Sequence, residues 1–179
     1  MKTLMSTALI GAVGIAGSHA AADIVFEDPA VFAPFDNAQV DFVWGYSRAG
    51  YTGELRWVDN VFDAEPVTLW NNKSAARSQT FRATRLFSKG ERVDFQYEVI
   101  KGRKDTFSNY VENDWSQFKI DSSDPLSVRV GVEDIRYPRG DMDHNDAVFS
   151  IVFSQAAVPA PGAVALLGLG GLIGIRRKR

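Results

Sequence analysis

The chain contains no cysteine. Disulfide scaffolds and thiolate metal sites are thereby excluded, and a domain of this composition outside the cell has to be held by its core or by a bound ion. Histidine is nearly absent too: the chain has two, His19 and His144, and the first falls in a segment that reads as a removable leader. A single remaining histidine excludes zinc sites built from several imidazoles. It also leaves a Ser-His-Asp hydrolase only His144 to work with, in a chain with no Gly-x-Ser-x-Gly elbow. Between Asp23 and Val158 no stretch sustains a 3.6-residue apolar period, which excludes a helical bundle.

A surplus of positive charge is also missing. The chain has 20 basic and 22 acidic residues. Five of the basic residues are Lys2 and the last four, so residues 23–175 hold 15 basic against 22 acidic, a net charge of −7. Such a surface lacks the basic footprint that nucleic-acid phosphates require, and no nucleic-acid partner is expected. It is compatible with divalent cations.

Both ends carry the marks of processing. Residues 1–22 have one positive charge at Lys2, an apolar run from Ala8 to Gly17 and small residues at Ser18, Ala20, Ala21 and Ala22. This is a signal-peptide layout with cleavage after Ala20 or Ala22. At the other end, residues 156–175 form an uncharged run before Arg176, Arg177, Lys178 and Arg179. As a helix that run reaches about 30 Å, the thickness of a bilayer core. The basic cluster then stays on the cytoplasmic side. The expected organisation is a signal peptide (1–22), a β-domain (23–155) and a C-terminal sorting segment with a transmembrane helix (156–179).

Val158, Pro159, Pro161 and Gly162, followed by the Gly/Ala/Leu-rich run and the terminal basic cluster, resemble the PEP-CTERM sorting signal of Gram-negative bacteria, with Ala160 where the usual motif has Glu. The resemblance implies recognition by an exosortase-type membrane protease. It also implies a membrane-anchored intermediate, export to the surface or exterior, and association with exopolysaccharide or biofilm.

Within the exported part, period-2 alternation recurs. Val40, Phe42, Trp44 and Tyr46 form one such run, Val93, Phe95, Tyr97 and Val99 a second, and Leu126, Val128, Val130 and Val132 a third. Shorter strand candidates are Asp23 to Glu27, Glu54 to Val58, Pro66 to Trp70, Gln79 to Phe87, Ser116 to Ile120 and Ala147 to Phe153. Ala49-Gly50, Asn71-Asn72, Lys89-Gly90 and Ser122 to Pro125 supply turns between them. Eight or nine short strands indicate a sandwich or a barrel, and the expected fold is an all-β, jelly-roll-like β-sandwich. Residues 102–114 are expected to be an exposed loop.

The chemistry is concentrated after the third long run. Asp141, Asp143 and Asn145 stand at i, i+2 and i+4, Gly140 permits a sharp turn before them, and Asp146 adds a further carboxylate. Glu133 and Asp134 join the set if the loop folds back beside the strand that they end. Calcium takes six to eight oxygens from such groups, so Ca2+ is the expected cofactor. The alternative is an Asx-rich turn bonded to its own backbone without metal. Mutual repulsion among so many carboxylates favours the cation. An EF-hand is excluded, because Asp146 stands where its sixth-position Gly belongs and Val152 where its twelfth-position Glu belongs.

Gly131 to Asp134 with Gly140 to Phe149 resembles the closing motif of the domain of unknown function 4114. That family occurs in secreted bacterial proteins, and the likeness extends over residues 80–153. It departs at Pro138-Arg139 and at Ala147, and it implies a β-sandwich at a cell surface without a demonstrated activity.

Aromatic side chains suggest a second chemistry. Trp44 and Trp57 lie on alternating strands and are expected in the core. Tyr51, Tyr110 and Trp115 lie near loops and are candidates for stacking on sugars. The expected function is therefore non-enzymatic, a cation-stabilised surface or matrix protein, with a carbohydrate-binding module or a two-carboxylate glycoside hydrolase as the alternative.

Overall fold

A computed structural model describes residues 26–60 and 64–156. The signal-peptide residues, Asp23 to Val25 and the sorting residues Val158, Pro159, Pro161, Gly162 and Arg176 to Arg179 lie outside them. Among the described residues no helix is long and apolar enough to cross a membrane.

The described residues form nine strands: β1 (Ala38–Tyr46), β2 (Thr52–Val58), β3 (Val67–Asn71), β4 (Thr80–Phe87), β5 (Asp94–Lys101), β6 (Asp105–Ser108), β7 (Phe118–Asp121), β8 (Ser127–Val132) and β9 (Ala147–Gln155). A short 3-10 helix (Glu112–Gln117) precedes β7. One antiparallel sheet has the order β4-β1-β9-β8-β7 and the other β3-β2-β5-β6. Together they make a β-sandwich. The first strand pairs with the last, and β7, β8 and β9 follow one another as a meander within one sheet.

Alternation explains the packing. Ala38, Val40, Phe42 and Trp44 of β1 are each at most 2% exposed, while Gln39, Asp41 and Val43 between them are half-buried on the outer face. Val128, Val130 and Val132 of β8 and Phe149 and Ile151 of β9 complete the inner face of the larger sheet. Leu55, Trp57, Phe95, Tyr97 and Val99 line the smaller one. The sheets are joined by rings: Phe95 meets Phe149 edge-on at 5.3 Å and Phe118 at 5.6 Å, and Trp44 lies 5.7 Å from Trp70. Each such pair adds about 0.5–1.5 kcal/mol beyond the burial of its area. A cysteine-free domain thus has a continuous aromatic core.

Two expectations are corrected. Residues 102–114 are not one exposed excursion, because they contain β6 and the start of the 3-10 helix. Asp105-Thr106-Phe107-Ser108 has a single apolar residue to mark it, and it forms a sheet edge by pairing with β5 on one side only. The strand expected from Asp23 to Glu27 is irregular in its described part, Phe26 and Glu27.

Candidate metal centre

Val132 at the end of β8 pairs with Ala147 at the start of β9. This register brings together the two ends of the segment 133–146, which closes as a compact loop of the Ω kind. The Asp146 N–H donates to the Val132 carbonyl at 3.0 Å, and the Glu133 N–H to the Gln117 carbonyl at 2.9 Å. Gln117, fully buried, stitches the loop further. Its amide nitrogen donates to the carbonyls of Glu133 (3.2 Å) and Ile135 (2.8 Å), and its oxygen accepts the Tyr137 N–H at 3.0 Å. Arg136 holds the outer side, donating to both Asp105 oxygens at 3.0 and 3.1 Å and to Asp114 at 2.8 Å.

The loop folds back toward the end of β8. Glu133, Asp134, Asp141, Asp143, Asn145 and Asp146 all line one cleft of about 550 Å³, with Arg48, Tyr51 and Arg139 among its other walls. Met142 (φ 58°) and His144 (φ 54°) adopt left-handed backbone between the alternating acids, a conformation uncommon outside glycine. The carboxylates come within metal-binding reach in two groups, each with donor atoms within 4.8 Å of one another: Glu133, Asp134 and Asp146, all buried, and Glu133 with the exposed Asp141 and Asp143.

Local hydrogen bonds satisfy part of this charge. Asp134 accepts the Tyr51 N–H at 3.2 Å, and Asp146 accepts the Asp134 N–H at 2.8 Å. Asp143 accepts both the backbone N–H of Asn145, at 3.1 Å, and its side-chain amide. Glu133 is the exception: it is 1% exposed, and its Oε2 is buried without a hydrogen-bond partner. Burial, then the Asp146 charge, then Asp141 push its carboxyl up to about 8. Burial followed by the Asp146 charge lifts Asp134 to about 6, and burial raises Asp146 as well. Tyr97 beneath the cluster is raised by its burial and by the charges of Asp134 and Asp146. An ionised carboxylate buried without a partner is strongly destabilising, so without a cation Glu133 keeps its proton, and a cation held by the cluster could take the place of that proton.

The aromatic candidates do not share a surface. Tyr51 lines the acidic cleft, Tyr110 is 38% exposed between β6 and the 3-10 helix, and Trp115 lines a separate cleft with Phe26, Arg136 and Tyr137. Gln117, Arg136 and Tyr137 escaped the sequence reading. Each acts through a partner distant in the chain, and only the exposed aromatic at 137 beside a charged run could have drawn attention.

The fold and the cleft define a β-sandwich with a buried acidic cluster able to hold a metal ion. No family model, curated protein or solved structure matches the chain.

Proposed function

We propose that this is an exported, non-enzymatic protein of the cell surface or extracellular matrix whose sandwich is locked by a calcium ion in the 133–146 loop. The observation that carries the reading is the buried, unpartnered Oε2 of Glu133 amid four further carboxylates. A cage of protein oxygens suits calcium, whereas magnesium keeps several of its waters. The PEP-CTERM-like tail supports export through an exosortase and company with exopolysaccharide. Catalysis is disfavoured on two grounds: Glu133 at 1% exposure is out of reach of a glycosidic oxygen, and both ring nitrogens of His144 face backbone carbonyls, of Met142 at 3.0 Å and Ser116 at 3.1 Å.

Calorimetry of the purified chain tests the reading. Calcium at about 100 times its Kd adds about 2.7 kcal/mol by mass action, a rise of roughly 5–12 °C in Tm over chelator. No rise at millimolar calcium sinks it. A sugar-binding role is favoured by one observation, the cleft of about 650 Å³ where Trp115, Tyr137 and Phe26 meet Arg136 and Glu112. Loss of polysaccharide retention on Trp115→Ala and Tyr137→Ala supports that role, and unchanged retention rejects it.

A further inference from the structure

The proposal that follows rests on the reading of the cluster as a cation site. Calcium–oxygen bonds of about 2.3–2.6 Å place donors on opposite sides of one ion about 4.6–5.2 Å apart. Each group of three carboxylates, with its donor atoms within 4.8 Å of one another, is therefore close enough to close on one ion with small side-chain adjustments. Among the described residues the five acids fall into two such groups rather than one, and Glu133 is the only member of both. Its two oxygens suit a shared carboxylate, because one is unpartnered and buried.

Charge permits the same arrangement. Five ionised carboxylates outweigh one divalent ion by three negative charges, of which Lys73 near Asp134 offsets part. Arg48 and Arg139 line the cleft, but neither forms an ion pair with any of the five among the described residues. We infer that the cleft takes two divalent cations, an inner one on Glu133, Asp134 and Asp146 and an outer one on Glu133, Asp141 and Asp143, with the Glu133 carboxylate bridging them. The inner ion sits among buried groups and exchanges slowly. The outer ion, on exposed side chains, exchanges with the surrounding solution.

Native mass spectrometry and titration calorimetry of the purified full chain with calcium test the pair. The wild-type chain is expected to hold two ions, the Asp141→Asn/Asp143→Asn double variant one, and Glu133→Gln none at concentrations that saturate the wild type. Asp141 and Asp143 are exposed and their amide replacements keep an acceptor oxygen, so the double variant is expected to fold, which a circular dichroism spectrum matching the wild type would verify. A single ion in the wild-type chain overturns the pair while leaving the calcium-locked sandwich standing, and no ion overturns both. Two ions retained in the double variant reveal binding elsewhere on the surface and overturn the outer site. Loss of only one ion in Glu133→Gln overturns the shared carboxylate.

Discussion

A Cβ placed on Gly140 would stand 2.5 Å from Oε1 of Glu133 and 2.7 Å from the Ile135 carbonyl. The loop backbone at Gly140 is thus one wall of the Glu133 carboxyl, and the glycine is required by closeness. Gly140→Ala is expected to displace the carboxylate or the loop. The stability loss should be about 1–3 kcal/mol, and calcium affinity should fall with it. Thermal melts in calcium and in chelator, with a titration, check both. An unaltered affinity would show that Glu133 does not ligate.

The metal-free protein is expected to lose stability as pH rises. The folded state holds the Glu133 proton up to about 8 and the Asp134 proton up to about 6, against ordinary values of 4.5 and 3.8. The folded form therefore binds more protons than the unfolded form across that interval, and stability falls through it. It is fully present below about pH 4 and levels off above the Glu133 value. Glu133→Gln should abolish its share of the decline throughout, removing most of the slope between about pH 6 and 8 and reducing it between about pH 4.5 and 6, where Asp134 still contributes. Urea melts in chelator from pH 4 to 9 measure this, and calcium, by supplying the missing positive charge, should flatten the wild-type curve.

Gln117→Ala removes three hydrogen bonds to the loop, those with Glu133, Ile135 and Tyr137. Two carbonyls and an N–H then lose a buried partner. A loss of about 2–4 kcal/mol is expected, together with weaker binding of any cation the loop holds, because the segment carrying its carboxylates is no longer seated. If melts show less than about 1 kcal/mol, water has replaced the amide.

Arg136→Ala leaves Asp114, 6% exposed, without its guanidinium. A loss of about 1–3 kcal/mol is expected, discounted from a fully buried pair because the Arg136 side chain is 38% exposed. The bond from Arg136 holds Asp105 below the usual carboxylate range. Its contribution is therefore present above about pH 4 and lost as pH falls through the lowered value. Acid titration of stability should lose that component in Arg136→Ala.

Several strands could be read from the sequence because alternation and burial coincide in them. Val40, Phe42 and Trp44, or Val128, Val130 and Val132, need no partner to declare which face is inward. β6 could not be read that way: Phe107 is its single apolar residue, and Ser108 and Asn109 beside it are buried through hydrogen bonds with Asp114 and with β5. At the site, the spacing of Asp141, Asp143 and Asn145 pointed to a cluster of oxygen donors, which Glu133 and Asp134 would join if the loop folded back beside the strand that they end. Its depth was hidden, since that depends on the β8–β9 register, on Gly140 and on Gln117. The same holds for Arg136, whose partners lie 22 and 31 residues away.

β9 has the acidic loop immediately before it and residue 156 immediately after it. Its nine residues separate the two by about 27 Å of extended chain. Ala38, where β1 begins, pairs with Gln155 at the same end as residue 156. The sandwich therefore has poles: the chain reaches β1 and leaves β9 at one, and the carboxylates gather at the other. A molecule held by its C-terminal side would present the acidic pole outward, where ions from the surroundings arrive first.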